Sequence, residues 1–594
     1  MCRIAGLLNK KIPAATLTAY VSSMCSTLKH GGPDDEGMYT NAAHNFVFGH
    51  RRLSIIDLSA NGHQPMFYKD GRYVITYNGE LYNYPQLKEA LKKEGFHFTT
   101  ACDTEVILAA YAAWGTNAFE KFSGMFAFAL ADNLLNEIIL VRDSAGIKPL
   151  YYSLHQQALA FASEVRAFNC IPGLQQKNDK WPVYLLAYGH LPEPVTTHKN
   201  ILPLQKGTYL VYKINDGTVK MKAFKKYTFL EKIDDRNEAI SLIRQTLEQS
   251  VQRHLVANSP IGVFLSGGLD SSVIAMLAGK HVSMLNTVSL YFDDSRYSEK
   301  KYQDLVKQNL SCSHHQHLLT EQDFHNYLPE IISAMDLPGC DGINTWVISK
   351  YAKEAGLKAV LSGVGGDELY GGYPSFERIK TAALLQMLPD QLLKSIGALS
   401  RRQRRRIVYL TKKNTAGRYL FLRGQFIPAD IAKNLDTTEA SVWKILDEEP
   451  CLPDISHLSL KNQASWMETN MYMQNQLLRD ADVMSMAHGV EIRVPFLDTA
   501  FLDLSFKIQS NIKYAGLQGK QLLIDTFKDI LPEQIWNRPK MGFAFPFKAW
   551  LSSDRYKVSL NKHNVSDIHS DLVTGKIHWS QFFTVFLIKS QAAA

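Results

Sequence analysis

The chain has 594 residues, too many for one hydrophobic core, since cores stop growing near about 250–300 residues. An apolar fraction of 46% against 21% charged, with no apolar run long enough for a bilayer, excludes a disordered, fibrous or membrane-spanning chain. The net charge of +8 is thinly spread, and seven cysteines without a CxxC pair exclude a zinc cluster or disulfide framework and favour a reducing cytoplasm. Met1–Lys10 has too short an apolar stretch for a secretory signal. The expectation is a large soluble cytoplasmic enzyme.

In chain order, Phe46–His50 and Tyr73–Tyr77 read as strands, the second closed by an Asn78-Gly79 turn. Pro85–Gly95 reads as a helix with Leu87 and Leu91 on one face. Gly124–Leu130 and Glu137–Val141 read as buried strands. The pattern changes between about 205 and 235, giving domains 1–210 and 235–594. Arg236–Leu255 is a helix with Ile240, Leu242, Ile243 and Leu247 on its apolar side. The apolar run Ile261–Leu265 leads through a glycine turn into a helix Ser271–Ala278, and Lys358–Leu361 ends in Ser362-Gly363. Such strand–glycine loop–helix units imply a doubly wound parallel sheet with ligands outside its carboxyl ends. Residues 374–470 read as helical, and no internal repeat is visible. The run Arg401–Arg406 reads as a solvated face, because no aromatics interleave it and no nucleic-acid motif surrounds it.

Ser266-Gly267-Gly268-Leu269-Asp270-Ser271-Ser272 is the sharpest chemical signal. Its glycines let backbone N–H groups approach an anion, the helix N-terminus favours that anion, and the hydroxyls donate to phosphate oxygens. Asp270 is placed to hold Mg²⁺. The GK[ST] ending of a Walker loop is missing. Cys2 is the second signal, because removal of Met1 would leave a thiol beside its own α-amine as base.

The heptapeptide resembles the pyrophosphate loop of ATP pyrophosphatases. Cys2, with His30-Gly31-Gly32-Pro33-Asp34 and Asn78-Gly79-Glu80-Leu81-Tyr82-Asn83, resembles the N-terminal-nucleophile (Ntn) glutamine amidotransferases. In this order the halves resemble glutamine-hydrolysing asparagine synthetases over nearly the whole chain. Further matches are Gly124–Phe128, Gly146–Tyr152, Phe161–Glu164, Ser362–Tyr373, Glu491–Asp498 and Arg538–Phe543. The resemblance implies an N-terminal αββα Ntn-hydrolase sandwich and a C-terminal doubly wound α/β ATP-pyrophosphatase domain with helical additions. It implies Cys2 as nucleophile, Asn78 and Gly79 as oxyanion hole, and Arg52, Glu80 and Asp103 as further glutamine contacts. It also implies ATP against Leu265, Ser266, Gly267, Gly268, Asp270, Ser271, Ser272, Leu290, Ser362 and Gly363, with Mg²⁺ on Asp270 and Asp367, and Lys540 neutralising charge. Arg493 and Asp498 are expected as a supporting ion pair. The implied reaction amidates a carboxylate through an acyl-adenylate, with aspartate to asparagine favoured. The alternatives are another carboxylate from cell-envelope or secondary metabolism, or a non-catalytic RNA-associated protein. A homodimer without nucleic acid or membrane partners is expected.

Three positions depart from the family pattern. Arg3 stands where Cys-Gly-Ile has glycine, and Gly31 where HRGPD has arginine. The expectation is that Arg3 restores the lost guanidinium in space and favours thiolate at Cys2, the alternative being a damaged glutaminase. Val364 stands where several asparagine synthetases have a glutamate that serves the acyl-adenylate.

Overall fold

The computed structural model describes residues 2–155, 157–400, 402–542, 544–553 and 566–592. Met1, Arg401 and Phe543, which entered the sequence reading, lie outside them. In the N-terminal half two six-stranded antiparallel sheets face each other. One runs Leu202–Pro203, Tyr151–His155, Ala158–Ala162, Cys2–Leu8, Phe46–Arg52, Asp35–Asn41. The other runs Val219–Ala223, Thr208–Lys213, Glu137–Arg142, Gly124–Asp132, Tyr73–Leu81, Met66–Tyr68. Alternation puts Ile4, Phe48, Val74, Ala129, Leu140 and Phe161 between the sheets. The outward apolar faces are covered by Ala14–Thr27 and Trp181–Tyr188 on one side, and by Tyr84–Lys93 and Asp103–Trp114 on the other. These four layers are the expected αββα sandwich, and its strand Thr208–Lys213 crosses the expected end at 210 while Val219–Ala223 lies beyond it.

The Asn78-Gly79 turn is corrected by the structure. The strand continues to Leu81, with Asn78 opposite Ala127 and Gly79 opposite Phe126. Gly79 has φ +154°, and a Cβ there would stand 2.1 Å from Met125 O. The glycine marks a close backbone approach inside a strand, the other use of the residue.

The C-terminal half is built on a five-stranded parallel sheet in the order Cys312–Leu318, Leu285–Tyr291, Ile261–Phe264, Ala359–Leu361, Glu491–Arg493. The central strand feeds the helix Leu269–Gly279 through residues 265–268. On the helix Arg236–His254 the buried stripe is Ala239, Ile243, Leu247 and Val251, so Ile240 and Leu242 sit at its margin. Residues 374–470 are mostly helical as expected. Within the arginine run, Arg405 pairs with Asp430 at 3.4 Å and Arg406 donates to Gly424 O at 2.8 Å.

Candidate active sites

Cys2 opens a strand whose seven residues are all buried. Its backbone N–H donates to Asn78 Oδ1 at 3.0 Å, which fixes the Asn78 carboxamide against the nucleophile. Asn78 Nδ2 is buried without a hydrogen-bond partner, which leaves it able to donate to a bound group. The Arg52 guanidinium is held by the carbonyls of Ser59, at 2.9 Å, and Asp57. Asp103 Oδ2 accepts from Tyr77 Oη at 2.9 Å and Leu81 N at 3.0 Å. Glu80 is turned to Arg493 Nη2, 3.2 Å away in the other half of the chain, and burial pushes its carboxyl up to about 8.

Arg3 is fully buried. Its Nε pairs with Glu164 and its Nη1 with Asp482, both at 2.7 Å, so it ties the nucleophile strand to the helix Arg479–Met486 of the synthetase half. A Cβ on Gly31 would stand 2.7 Å from Arg3 Cγ and 2.9 Å from its Nε. Arg3 therefore fills the space that a side chain at 31 would take, and the spatial exchange expected from sequence is present. The expected effect on the thiol is not. Arg3 is neutralised by two carboxylates, burial holds the Cys2 thiol above its ordinary range, and the guanidinium that acts to lower it is Arg52.

In the second half one cavity of about 630 Å³ opens beyond the carboxyl ends of the parallel strands. It gathers Ser266, Gly268, Asp270, Ser271, Ser362, Gly363, Val364, Asp367 and Lys540 from the expected set. Leu265, Ser272 and Leu290 are buried and their side chains do not line it. Gly267 has φ +84° and packs on Tyr302, which bends the loop so that Gly268 N–H reaches Ser266 Oγ at 3.2 Å. A Cβ on Gly363 would stand 2.9 Å from Asp270 Cβ, so glycine is what lets the 362–364 loop close on the phosphate loop.

Lys520 was missed by the sequence reading. Its Nζ lies 2.8 Å from Asp270 Oδ2 and 2.7 Å from Asp367 Oδ1, and Lys540 Nζ lies 2.7 Å from Asp367 Oδ2. Burial raises the Asp270 carboxyl, whereas the two lysines hold Asp367 down at about 2 despite its burial. Arg538 donates to Gly267 O at 2.9 Å and pairs with Glu299 at 2.7 Å, bracing the loop from outside. The only sequence signal for Lys520 is its position after Gly516 and Gly519, where the backbone reaches φ +62°. The expected Arg493–Asp498 pair does not form. Arg493 bonds Glu491 at 2.6 Å, while Asp498 pairs with Arg253 at 2.9 Å and caps the helix Thr499–Lys507. Two nearby residues of opposite charge found better partners across the fold.

The family profile for asparagine synthase matches residues 242–572, and that for the glutamine amidotransferase domain matches residues 1–227. The chain belongs to the asparagine synthase family. It is 30% identical to asparagine synthetase [glutamine-hydrolyzing] 1 of Bacillus subtilis, over 93% of this chain and 88% of that protein. A putative asparagine synthetase [glutamine-hydrolyzing] of Mycobacterium tuberculosis is 30% identical over 88% and 83%. Amidase chry2 of Gibberella zeae is 26% identical over 89% and 85%. Among solved structures, a B. subtilis glutamine phosphoribosylpyrophosphate amidotransferase aligns with 53% of this chain and 81% of that one, at 15% identity and a TM-score of 0.30. As an asparagine-synthase-like ligase, the chain uses glutamine and ATP to amidate a carboxylate.

Proposed function

We propose that the chain makes an amide in two half-reactions joined by ammonia. Cys2 Sγ attacks the side-chain carbonyl carbon of glutamine, the C–N bond breaks, ammonia leaves, and water hydrolyses the γ-glutamyl thioester to glutamate. Once Met1 is removed, the Cys2 nitrogen on Asn78 Oδ1 is the base that takes the thiol proton. Asn78 Nδ2 and the Gly79 N–H receive the oxyanion, Arg52 the glutamine carboxylate, and Asp103 with Glu80 its ammonium.

In the other half an acceptor carboxylate attacks the α-phosphorus of ATP, pyrophosphate leaves, and ammonia then displaces AMP from the acyl carbon with loss of a proton. The loop 266–272 cradles the pyrophosphate at the N-terminus of Leu269–Gly279, and Lys520 and Lys540 neutralise it. Ser362 and Gly363 contact the nucleotide, and Leu265 and Leu290, buried outside the cavity, back that wall. Asp270 and Asp367 suit Mg²⁺, a hard cation: both offer carboxylate oxygens, and Asp270 Oδ1 is buried without a hydrogen-bond partner. When bound, that ion neutralises charge on the departing pyrophosphate. Ammonia travels through the interior, because in neutral water it would protonate and lose its nucleophilicity.

What carries this reading is one chain holding both a nucleophile with an unused Asn78 donor and a cavity where lysines and carboxylates meet behind a phosphate loop. The relatives' names bring aspartate here as the first acceptor to test. Incubation with ATP, Mg²⁺, aspartate or other carboxylic acids, and either glutamine or ammonium, is the experiment. AMP and pyrophosphate should appear in equal amounts with an amide. Pyrophosphate release with no acid and neither nitrogen source would defeat the proposal.

A further inference from the structure

The cavity has an end that the phosphate chemistry does not use. Beyond Val364 its wall comes from two places: residues 341–348, at the start of the helix Ile343–Glu354, and residues 472–481, where the π-helical stretch Glu468–Leu478 runs into Arg479–Met486. π-Helical turns re-aim side chains and recur at functional sites. Here they bring Tyr472 and Leu477 to the cavity beside Asp341 and Asp480. Tyr472 Oη donates to Asp341 Oδ2 at 3.0 Å. Asp480 packs closely on Gly342, where a Cβ would stand 2.8 Å from Met484 Cγ and 3.2 Å from Asp480 Cβ. Burial, with the Asp341 charge adding to it, raises the Asp480 carboxyl to about 6 against the pull of Arg479.

Asp480 is 8% exposed, its Oδ1 is held by Arg479 at 3.2 Å, and its Oδ2 is buried without a hydrogen-bond partner. A buried carboxylate oxygen left in this state costs free energy until a donor, best a cation, reaches it. The cations lining the cavity are already matched at the other end: Lys520 by Asp270 and Asp367, Lys540 by Asp367, Arg538 by Glu299. Among the described residues no further lysine or arginine lines the cavity. Arg479 instead faces two small pockets behind it, and Asp480 stands between the first of these and the cavity, lining both. Arg423, stacked on Tyr472 at 3.7 Å, and Arg479 act on these acids from outside the cavity, so a second carboxylate on the acceptor would meet Asp341 and Asp480 with no lining cation of its own. The walls of this part of the cavity combine apolar Ile348, Val364, Leu477 and Ala481 with the uncharged polar Asn344 and Thr345.

We propose that the acceptor is a monocarboxylic acid carrying an ammonium group on an apolar body, its ammonium seated at Asp341 and Asp480 and its carboxylate at the phosphate end. This rests on the amidation reading and narrows it. Val364 then has a reason: a carboxylate there would add to the acidic end, whereas a small apolar wall lets an aliphatic body pass.

The test uses the full chain with ATP, Mg²⁺ and ammonium chloride, so that the glutaminase is bypassed, and reads pyrophosphate release. The acids are matched in length: 6-aminohexanoate, hexanoate and hexanedioate, with aspartate alongside. The amino acid should exceed its amine-free partner in kcat/KM by at least about tenfold, the worth of one charge-assisted hydrogen bond, and should exceed aspartate. Asp480→Asn and Asp341→Asn should each shrink that ratio while the KM for ATP stays put, which also shows that the variants are folded. Preference for aspartate or hexanedioate, or a ratio unchanged in both variants, overturns the proposal and leaves amidation standing. Release from none of the acids defeats the amidation reading and this proposal with it.

Discussion

The two reaction sites are built in opposite ways. Around Cys2 the working groups come from strands of facing sheets and, for Asp103, from the start of the helix Asp103–Trp114, and Cys2, Arg3, Asn78, Glu80 and Asp103 are all buried. The synthetase cavity is walled by short segments drawn from 264 to 542, many of them loops or helix ends. A site made from paired strands cannot change one side chain without meeting its neighbours, and its substrate, glutamine, is fixed. A cavity assembled from separate helices can be relined piece by piece while the phosphate loop stays as it is. The comparison teaches that the donor site changes only in matched pairs, as at Arg3 and Gly31, whereas the acceptor end can change one residue at a time, as at Val364.

Cys2→Ala breaks the comparison most directly. Glutamine-dependent amide formation should fall by about 10³-fold or more, since a nucleophile has no substitute, while ammonium-dependent formation keeps its rate. Equal loss with both nitrogen sources would mean that the sites are not separable. Asp270→Asn should act in the mirror sense. Pyrophosphate release should drop by about 10²–10³-fold with either nitrogen source, and glutamine hydrolysis should persist, as paired glutamate assays would record. Lys520→Met leaves two carboxylates facing each other without their shared cation. It should slow adenylation by about 10²-fold and lower thermal stability, with the KM for glutamine unmoved.

Arg3→Gly takes one guanidinium from Glu164, which keeps Arg166 at 2.9 Å and His30 at 2.8 Å, and from Asp482, which keeps Lys148 at 3.4 Å, so it should cost about 1–3 kcal/mol in denaturant unfolding, the range for losing a partner of a buried polar group. The double exchange Arg3→Gly with Gly31→Arg should recover most of that loss and most glutaminase activity. A double variant no better than Arg3→Gly would show that the two positions are independent. The smallest effect is expected from Val364→Glu. It should raise aspartate-dependent pyrophosphate release by less than about tenfold, under 1.4 kcal/mol, because one carboxylate does not supply a cation for the second acid group. Full conversion to an aspartate enzyme would place the specificity in Val364 alone.

Much of the donor site was legible because its residues lie in contiguous motifs, Cys2 at the start of a strand and Asn78–Glu80 within one. The phosphate loop was legible for the same reason, as strand, glycines and helix follow one another in the chain. The acceptor end was not. Asp341, Tyr472 and Asp480 meet only through packing between helices distant in sequence, and no local spacing announces such a meeting. Lys520 was hidden because a lone lysine in a loop looks solvated until Asp270 and Asp367, far upstream, are seen on either side of it. The Arg493–Asp498 pairing failed for a related reason: proximity along the chain is a poor guide when Glu491, Glu80 and Arg253 compete. The Asn78-Gly79 turn failed because local turn propensity gave way to nine residues of strand pairing.

The exchange between Arg3 and Gly31 also constrains ancestry. A lineage moving from glycine at 3 and arginine at 31 to the present pair, one substitution at a time, passes through a chain with both arginines or with neither. With both, the second side chain starts 2.7 Å from Arg3 Cγ. With neither, Glu164 is left to Arg166 and His30 and Asp482 to Lys148, and the link that Arg3 makes between the two acids is lost. Each intermediate is handicapped at the nucleophile strand itself, so the passage is easiest where free ammonium relieves selection on the glutaminase. By the same logic, a descendant with only one of the two residues reverted is the one to suspect of a lost glutaminase; a chain that differs from the common pattern at both is not.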